Sequence, residues 1–189
     1  GSSWGLYQRM KEIGPVPFGA YVRTPDWSVC SQSPERYLRK EGSTIITQPI
    51  KGTTHRGRNR QEDKLLRERL GKSIKERAEN LMIVDLVRND LSRISVKGSV
   101  EVTKLFDIET FGTVHQMVST VKAEARVRDP VCILKSCFPM GSMTGAPKIS
   151  AMKAIEHLEK YRRGIYSGAI GYIKPNGDFD FNVVIRTAI

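Results

Sequence analysis

Long apolar runs, cysteine pairs, internal repeats and low-complexity linkers are all missing from this chain of 189 residues. No stretch approaches the ~20 apolar residues of a membrane span, and the first residues show no charged-then-apolar targeting signal. A soluble, cytoplasmic protein with no membrane partner is therefore expected. Cys30, Cys132 and Cys137 are odd in number and lack paired CxxC spacing, which argues against a disulfide framework or a thiolate zinc site and fits reduced thiols. With no linker in sight and 39% hydrophobic content, the length fits one sizeable domain or a piece of one.

Charge is abundant and one-sided. A net charge of +11 would permit nucleic-acid binding, because clustered Lys and Arg neutralise phosphates. The charges are nevertheless dispersed among acidic residues, and interleaved aromatics suited to stacking on bases are lacking. Only Thr53 to Lys75 concentrates them, and a solvated helix face explains most of that stretch. A basic nucleic-acid-binding domain is thus the rival reading, and an unfavoured one.

Periodicity places strands at Phe18 to Arg23 and Trp27 to Ser31, with a third at Ser43 to Gln48. Helices are expected from Gln61 to Leu70, ended at Gly71, and from Ser73 to about Arg93. The second is apolar almost all round at Leu81 to Val87 and is expected to be buried. Strand patterns return at Val100 to Phe106, Val114 to Ala125, Gly168 to Ile173 and Phe179 to Thr187. The last two are joined by Pro175-Asn176-Gly177-Asp178, a hairpin signal. Thr144 suits a helix N-cap and Pro147 a first turn, with Ile149, Met152, Ile155 and Leu158 spaced as a packed face. The order predicts an α+β fold, antiparallel sheets packed with helices.

Several side chains could carry chemistry. Gly141 to Lys148 combines a helix start, two glycines and Lys148, a plausible pocket for a carboxylate or phosphate, or simply a capped amphipathic helix. Glu76 and Glu79 project from one helix face and are hard oxygen ligands suited to Mg²⁺; otherwise they lie in an exposed first turn where Glu favours the helix dipole and Glu76 pairs with Lys72 or Arg77, a reading that suits Glu79, one residue from the apolar run, less well. His115 is either a satisfied core histidine or a proton donor. Arg186 shares a predicted strand face with Asp180 and Asn182, and either grips a carboxylate bidentately or lies in solvent. Lys51 is placed where a strand breaks into a loop; desolvation there would turn an amine of pKa about 10.4 into a nucleophile.

In order along the chain, Pro49-Ile50-Lys51-Gly52-Thr53, Glu76 through Asp90, Thr113 through Ser119, Gly141 through Lys148, Arg163 through Tyr172 and Ile185-Arg186-Thr187 resemble the motifs of the chorismate-binding enzymes. The resemblance runs from Phe18 onward. It implies a Mg²⁺ held by Glu79 with Glu76, and substrate carboxylates held by Tyr166 and Arg186. It also implies a pocket lined by Gly52, Thr53, Thr144 and Gly168, and a His115 that assists departure of the C4 hydroxyl. A lysine at position 51 resembles the aminodeoxychorismate synthase branch rather than the anthranilate synthases, which usually carry alanine there. In that branch the lysine is thought to attack ring C2. Ammonia from a glutamine amidotransferase subunit then enters at C4, towards p-aminobenzoate and folate. The family pattern continues past Thr187 into a glycine-rich segment and a helix with a second glutamate pair, and also includes an N-terminal subdomain. Neither is in the sequence, so residues 1–189 are expected to form one partial catalytic domain.

Overall fold

The computed structural model describes residues 1–189. A helix, α1 (Ser3–Ile13), precedes the strands β1 (Phe18–Arg23), β2 (Ser28–Ser33), β3 (Arg36–Glu41), β4 (Thr44–Gln48) and β5 (Ile50–His55). Two helices come next, α2 (Arg60–Lys72) and α3 (Ile74–Ser92), and then two long strands, β6 (Glu101–Thr110) and β7 (Val114–Glu124). The chain continues through α4 (Pro130–Cys137), α5 (Gly141–Thr144) and α6 (Lys148–Leu158) to β8 (Gly171–Ile173), β9 (Phe179–Asn182) and β10 (Thr187–Ala188).

Seven strands form one sheet in the order β5-β7-β4-β3-β9-β8, with β6 on the other edge of β7; β1, β2 and β10 form a smaller sheet. All pairings are antiparallel, so the expected α+β class holds. β7 pairs with β5 through its first half and with β4 through its second. The changeover falls at Pro49, whose carbonyl accepts from Ser119 N at 3.2 Å.

The core lies between the large sheet and α3 with α4. Leu38, Ile45 and Val121 from the sheet meet Ile83, Val84, Val87 and Leu91 of α3 and Ile133 of α4. Asn80, fully buried, bolts α3 to β7: Ser119 Oγ donates to its Oδ1 at 2.5 Å and its Nδ2 donates to the Met117 carbonyl at 3.4 Å.

Several expectations change. β3 has no counterpart in the sequence pattern, because four of its six residues are charged. It sits inside the sheet because Arg36 pairs with Asp180 and Lys40 with Asp178 across the strand edge and turn. Gly71 lies within α2 instead of ending it; the break is Ser73, whose hydroxyl caps α3 by accepting from Glu76 N. α3 is not buried all round, since Leu81 and Met82 are each 44% exposed. The α6 stripe is a surface: Ile149 and Leu158 are more than two-thirds exposed. Helical spacing defines an apolar face without saying what covers it. The last expected strand stops at Asn182, and Val183 to Arg186 leave the sheet before β10. The hairpin at Asn176-Gly177 is present, with Gly177 at φ +83.

Replacing Asn80 by Ala strands the Met117 carbonyl and the Ser119 hydroxyl in a dry interior, at a cost of about 1–3 kcal/mol. Urea unfolding of Asn80→Ala should show a lower midpoint with an unchanged slope; an unchanged midpoint would remove Asn80 from the set of stabilising contacts.

Candidate active site

Lys51 lies on β5 itself, two residues past Pro49, not in a loop after the strand as expected. The β5–β7 register slips between Ile50 and Thr53, leaving Lys51 and Gly52 in a bulge outside the regular pairing. Bulges redirect side chains, often beside reacting groups. Gly52 adopts φ +91, and a Cβ there would come within 3.1 Å of both Cβ and Oε2 of Glu76 and 3.2 Å of Leu70 Cδ1. Glycine is required at this position for its backbone angle and for space alike.

The Lys51 ammonium donates to the Ser142 carbonyl at 2.9 Å. Glu35, only 5% exposed, lies beside this contact. Burial pushes its carboxyl up to about 7, while the Ser142 side chain and the Lys51 charge pull it back. A carboxyl that titrates near neutrality can both give and accept a proton at working pH. Nothing in the spacing of the sequence marks Glu35 or Ser142. Had β3 been recognised, the hairpin register would have found the glutamate: Arg36 pairs with Gln48, which sets Glu35 opposite Pro49 and next to the lysine motif.

The expected pocket residues divide into groups. Glu76 reaches Gly52, whereas Glu79 points outward and pairs with Lys75 at 3.9 Å. Thr53, on the exposed side, accepts from Gln116 Nε2 at 3.4 Å. Thr144 ends α5 and does not cap α6; its hydroxyl turns back to the Met140 carbonyl, and Pro147 occupies the cap position without a side-chain bond. Tyr166 stacks against Arg163, which donates to the Met143 carbonyl and so ties this turn to α5. Gly168 allows that turn to close: a Cβ there would meet the Ile165 carbonyl at 2.9 Å. Arg186, at φ +50, faces a separate cleft of about 440 Å³ with Gln32, Thr113 and Gln116, and no contact joins it to Lys51.

His115 is 1% exposed, its Nε2 3.0 Å from Asp63 Oδ1 and its Nδ1 2.9 Å from Thr110 Oγ1. Asp63 is held below the usual carboxylate range, chiefly by the Arg56 guanidinium and then by Gly57 N–H. Sequence spacing gave no hint of Asp63, since the contact crosses from α2 to β7. Lys148 is not free for an anion at the helix start; its ammonium is bound to buried Asp90 at 2.5 Å.

An amine on a bulge with a buried, titratable carboxyl nearby is equipment suited to a catalytic domain. The chain belongs to the chorismate binding enzyme family, whose family model matches residues 1–189. It is 47% identical to the chloroplastic aminodeoxychorismate synthase of Arabidopsis thaliana over 98% of this chain and 21% of that one. To aminodeoxychorismate synthase component 1 of Salmonella typhimurium it is 44% identical over 99% of this chain and 41% of that one. Anthranilate synthase component I from Streptococcus pneumoniae TIGR4 superposes with a TM-score of 0.88 at 36% identity, over 99% of this chain and 41% of that one. The chain therefore spans between about a fifth and two-fifths of the length of these relatives.

Glu35 sets a pH dependence. Folded, it keeps its proton to about pH 7, against 4.5 for an ordinary glutamate. Its contribution to stability is complete below pH 4.5 and is lost as pH rises through 7. At roughly 1.4 kcal/mol per pKa unit, the loss reaches about 3–4 kcal/mol. Glu35→Gln should flatten that decline when urea unfolding is tracked from pH 4.5 to 8; parallel curves for the two proteins would show that Glu35 is not buried in its acid form.

Proposed function

We propose that the complete protein aminates chorismate at C4 to give 4-amino-4-deoxychorismate, with ammonia supplied by a glutamine amidotransferase. The observation that carries this reading is Lys51, held on its bulge against Ser142 and Glu35, in a chain 43–48% identical to aminodeoxychorismate synthases. Lys51 loses a proton and its Nζ attacks ring C2. The double bond shifts, and the C4 hydroxyl leaves with a proton from an acid as water. Ammonia then attacks C4, the double bond returns, and the C2–N bond breaks to release Lys51. The buried carboxyl of Glu35 is suited to take and return the lysine proton.

We assign departure of the C4 hydroxyl to His115, oriented by Asp63 and Thr110, and the substrate carboxylates to Tyr166 and Arg186. Thr53, Thr144, Gly52 and Gly168 line the pocket in this reading. Glu76 and Glu79 fit Mg²⁺ in donor type and i,i+3 spacing, and Glu76 already borders Gly52; no group of three metal-binding side chains comes together within the chain. Mg²⁺ is commonly held by one or two carboxylates, with waters and substrate completing its shell. The ion would supply positive charge to a substrate carboxylate. No helix is long and apolar enough to cross a membrane; the three free cysteines fit the cytoplasmic site of action proposed here. Two plant relatives are named as chloroplastic.

In the complete protein, Lys51→Ala should abolish the 4-amino product while leaving chorismate affinity within a few-fold; undiminished 4-amination would dismiss the nucleophile. Mass spectrometry of products with Mg²⁺ and ammonium also separates this reading from anthranilate formation, which aminates C2 with loss of pyruvate. Glu79→Gln should remove Mg²⁺-dependent turnover, and full activity would take Glu79 out of the metal site.

A further inference from the structure

The segment Phe138–Pro147 carries α5 and, on it, Ser142. One ammonium closes the base of this loop. Lys148 Nζ donates to Asp90 Oδ2 at 2.5 Å and to the Cys137 carbonyl at 3.2 Å, so the residue before the loop and the residue after it share one anchor on α3. Asp90 is 5% exposed. Between its ends the loop is pressed onto α3 at Gly141, where a Cβ would stand 2.8 Å from Leu86 Cδ2. On its far side Arg163, itself held by the Glu159 carboxylate, donates to the Met143 carbonyl at 3.2 Å. The residue between those two supports is Ser142, whose carbonyl receives Lys51 and whose side chain faces Glu35.

A buried ion pair is a weak source of net stability, because desolvating both charges offsets their attraction; its best-attested use is to select one geometry. Here the geometry selected is that of the loop. We propose that Asp90 and Lys148 are positioning residues: by locking both ends of the Phe138–Pro147 loop, they hold Ser142 where it can bridge Lys51 and Glu35. Both act through the loop, and Lys148 spends its charge on Asp90, not on substrate. The inference rests on the reading of Lys51 as the reacting amine, and its test separates the two.

Asp90→Asn, Lys148→Met, the double variant and Asp90→Glu are compared in the complete protein by two measurements. The first is the rate of Lys51 acetylation by acetic anhydride against pH without substrate, read by mass spectrometry. The second is steady-state 4-amination with ammonium. Release of Ser142 should speed Lys51 acetylation at neutral pH by about tenfold, the scale of one hydrogen bond to a charged group. It should lower kcat on the order of 100-fold with KM little changed, as a misplacement of about 1 Å does. The double variant should be no worse than either single one, and Asp90→Glu should recover part of the loss. Acetylation profiles and kcat that match the wild type in variants of unchanged melting temperature would overturn the proposal. If Asp90→Asn and Lys148→Met do not fold singly, the double variant, which leaves no buried charge unpaired, decides, and a wild-type profile there overturns it equally. Altered acetylation in the variants, together with a wild-type protein that makes no 4-amino product, would uphold the positioning role and dismiss the reaction assigned to Lys51.

Discussion

One strand edge organises this domain. β7 offers a single row of backbone groups to two successive partners, β5 and β4, and the handover at Pro49 is closed by Ser119 N–H. Proline cannot donate to a ladder, so a strand that contains it must break or bend there. Beyond this break β5 begins with a bulge, and the bulge is where Lys51 leaves the regular pairing of the sheet. The same stretch of β7 carries Met117 and Ser119, through which Asn80 locks α3 onto the sheet. Placement of the amine and of the helix bearing Glu76 therefore depends on one set of backbone bonds.

Around that frame, charge is handled by pairing it indoors. Lys40 with Asp178, Lys148 with Asp90 and Arg36 with Asp180 are all largely withdrawn from solvent. Removing one partner of such a pair leaves an uncompensated buried charge, commonly at about 3–5 kcal/mol. Burial outweighs the neighbouring cation at two carboxyls: Asp90 is raised in spite of Lys148, and Glu35, with Lys51 nearby, rises to about 7. Glu35 is the carboxyl raised to near neutrality, and Asp63 is the extreme on the ionised side.

The densest basic stretch of the chain is a solvated, partly paired helix face. Basic side chains on α2 stand in solvent beside Glu62, Asp63 and Glu68, and Arg56 and Lys64 are committed to Asp63 and Glu68. Such a surface is an ordinary solvated face. Exposed apolar residues on α6 and on the outer side of α3 show, in turn, that a helix-period stripe marks a face and not its neighbour.

Local chemistry sufficed for much of this protein. Alternation and turn residues identified β1, β7 and the Asn176-Gly177 hairpin, helical periodicity identified α3 and its Ser73 start, and ordered motifs identified the family and drew attention to Lys51. These are properties of a few neighbouring residues, and neighbours are what a sequence displays. Other features depend on contacts between distant segments. β3 takes its interior place between β4 and β9 with Arg36 and Lys40 paired to Asp180 and Asp178, more than a hundred residues later. Glu35 comes near Lys51 through a hairpin register, Asp63 meets His115 across α2 and β7, and Lys148 meets Asp90 at the foot of a loop. The amino-acid order by itself determined which residue types and elements were available. Only the tertiary structure decided which carboxyl faces the amine and which cations are already spent, because burial and pairing depend on three-dimensional distance, which linear spacing does not contain.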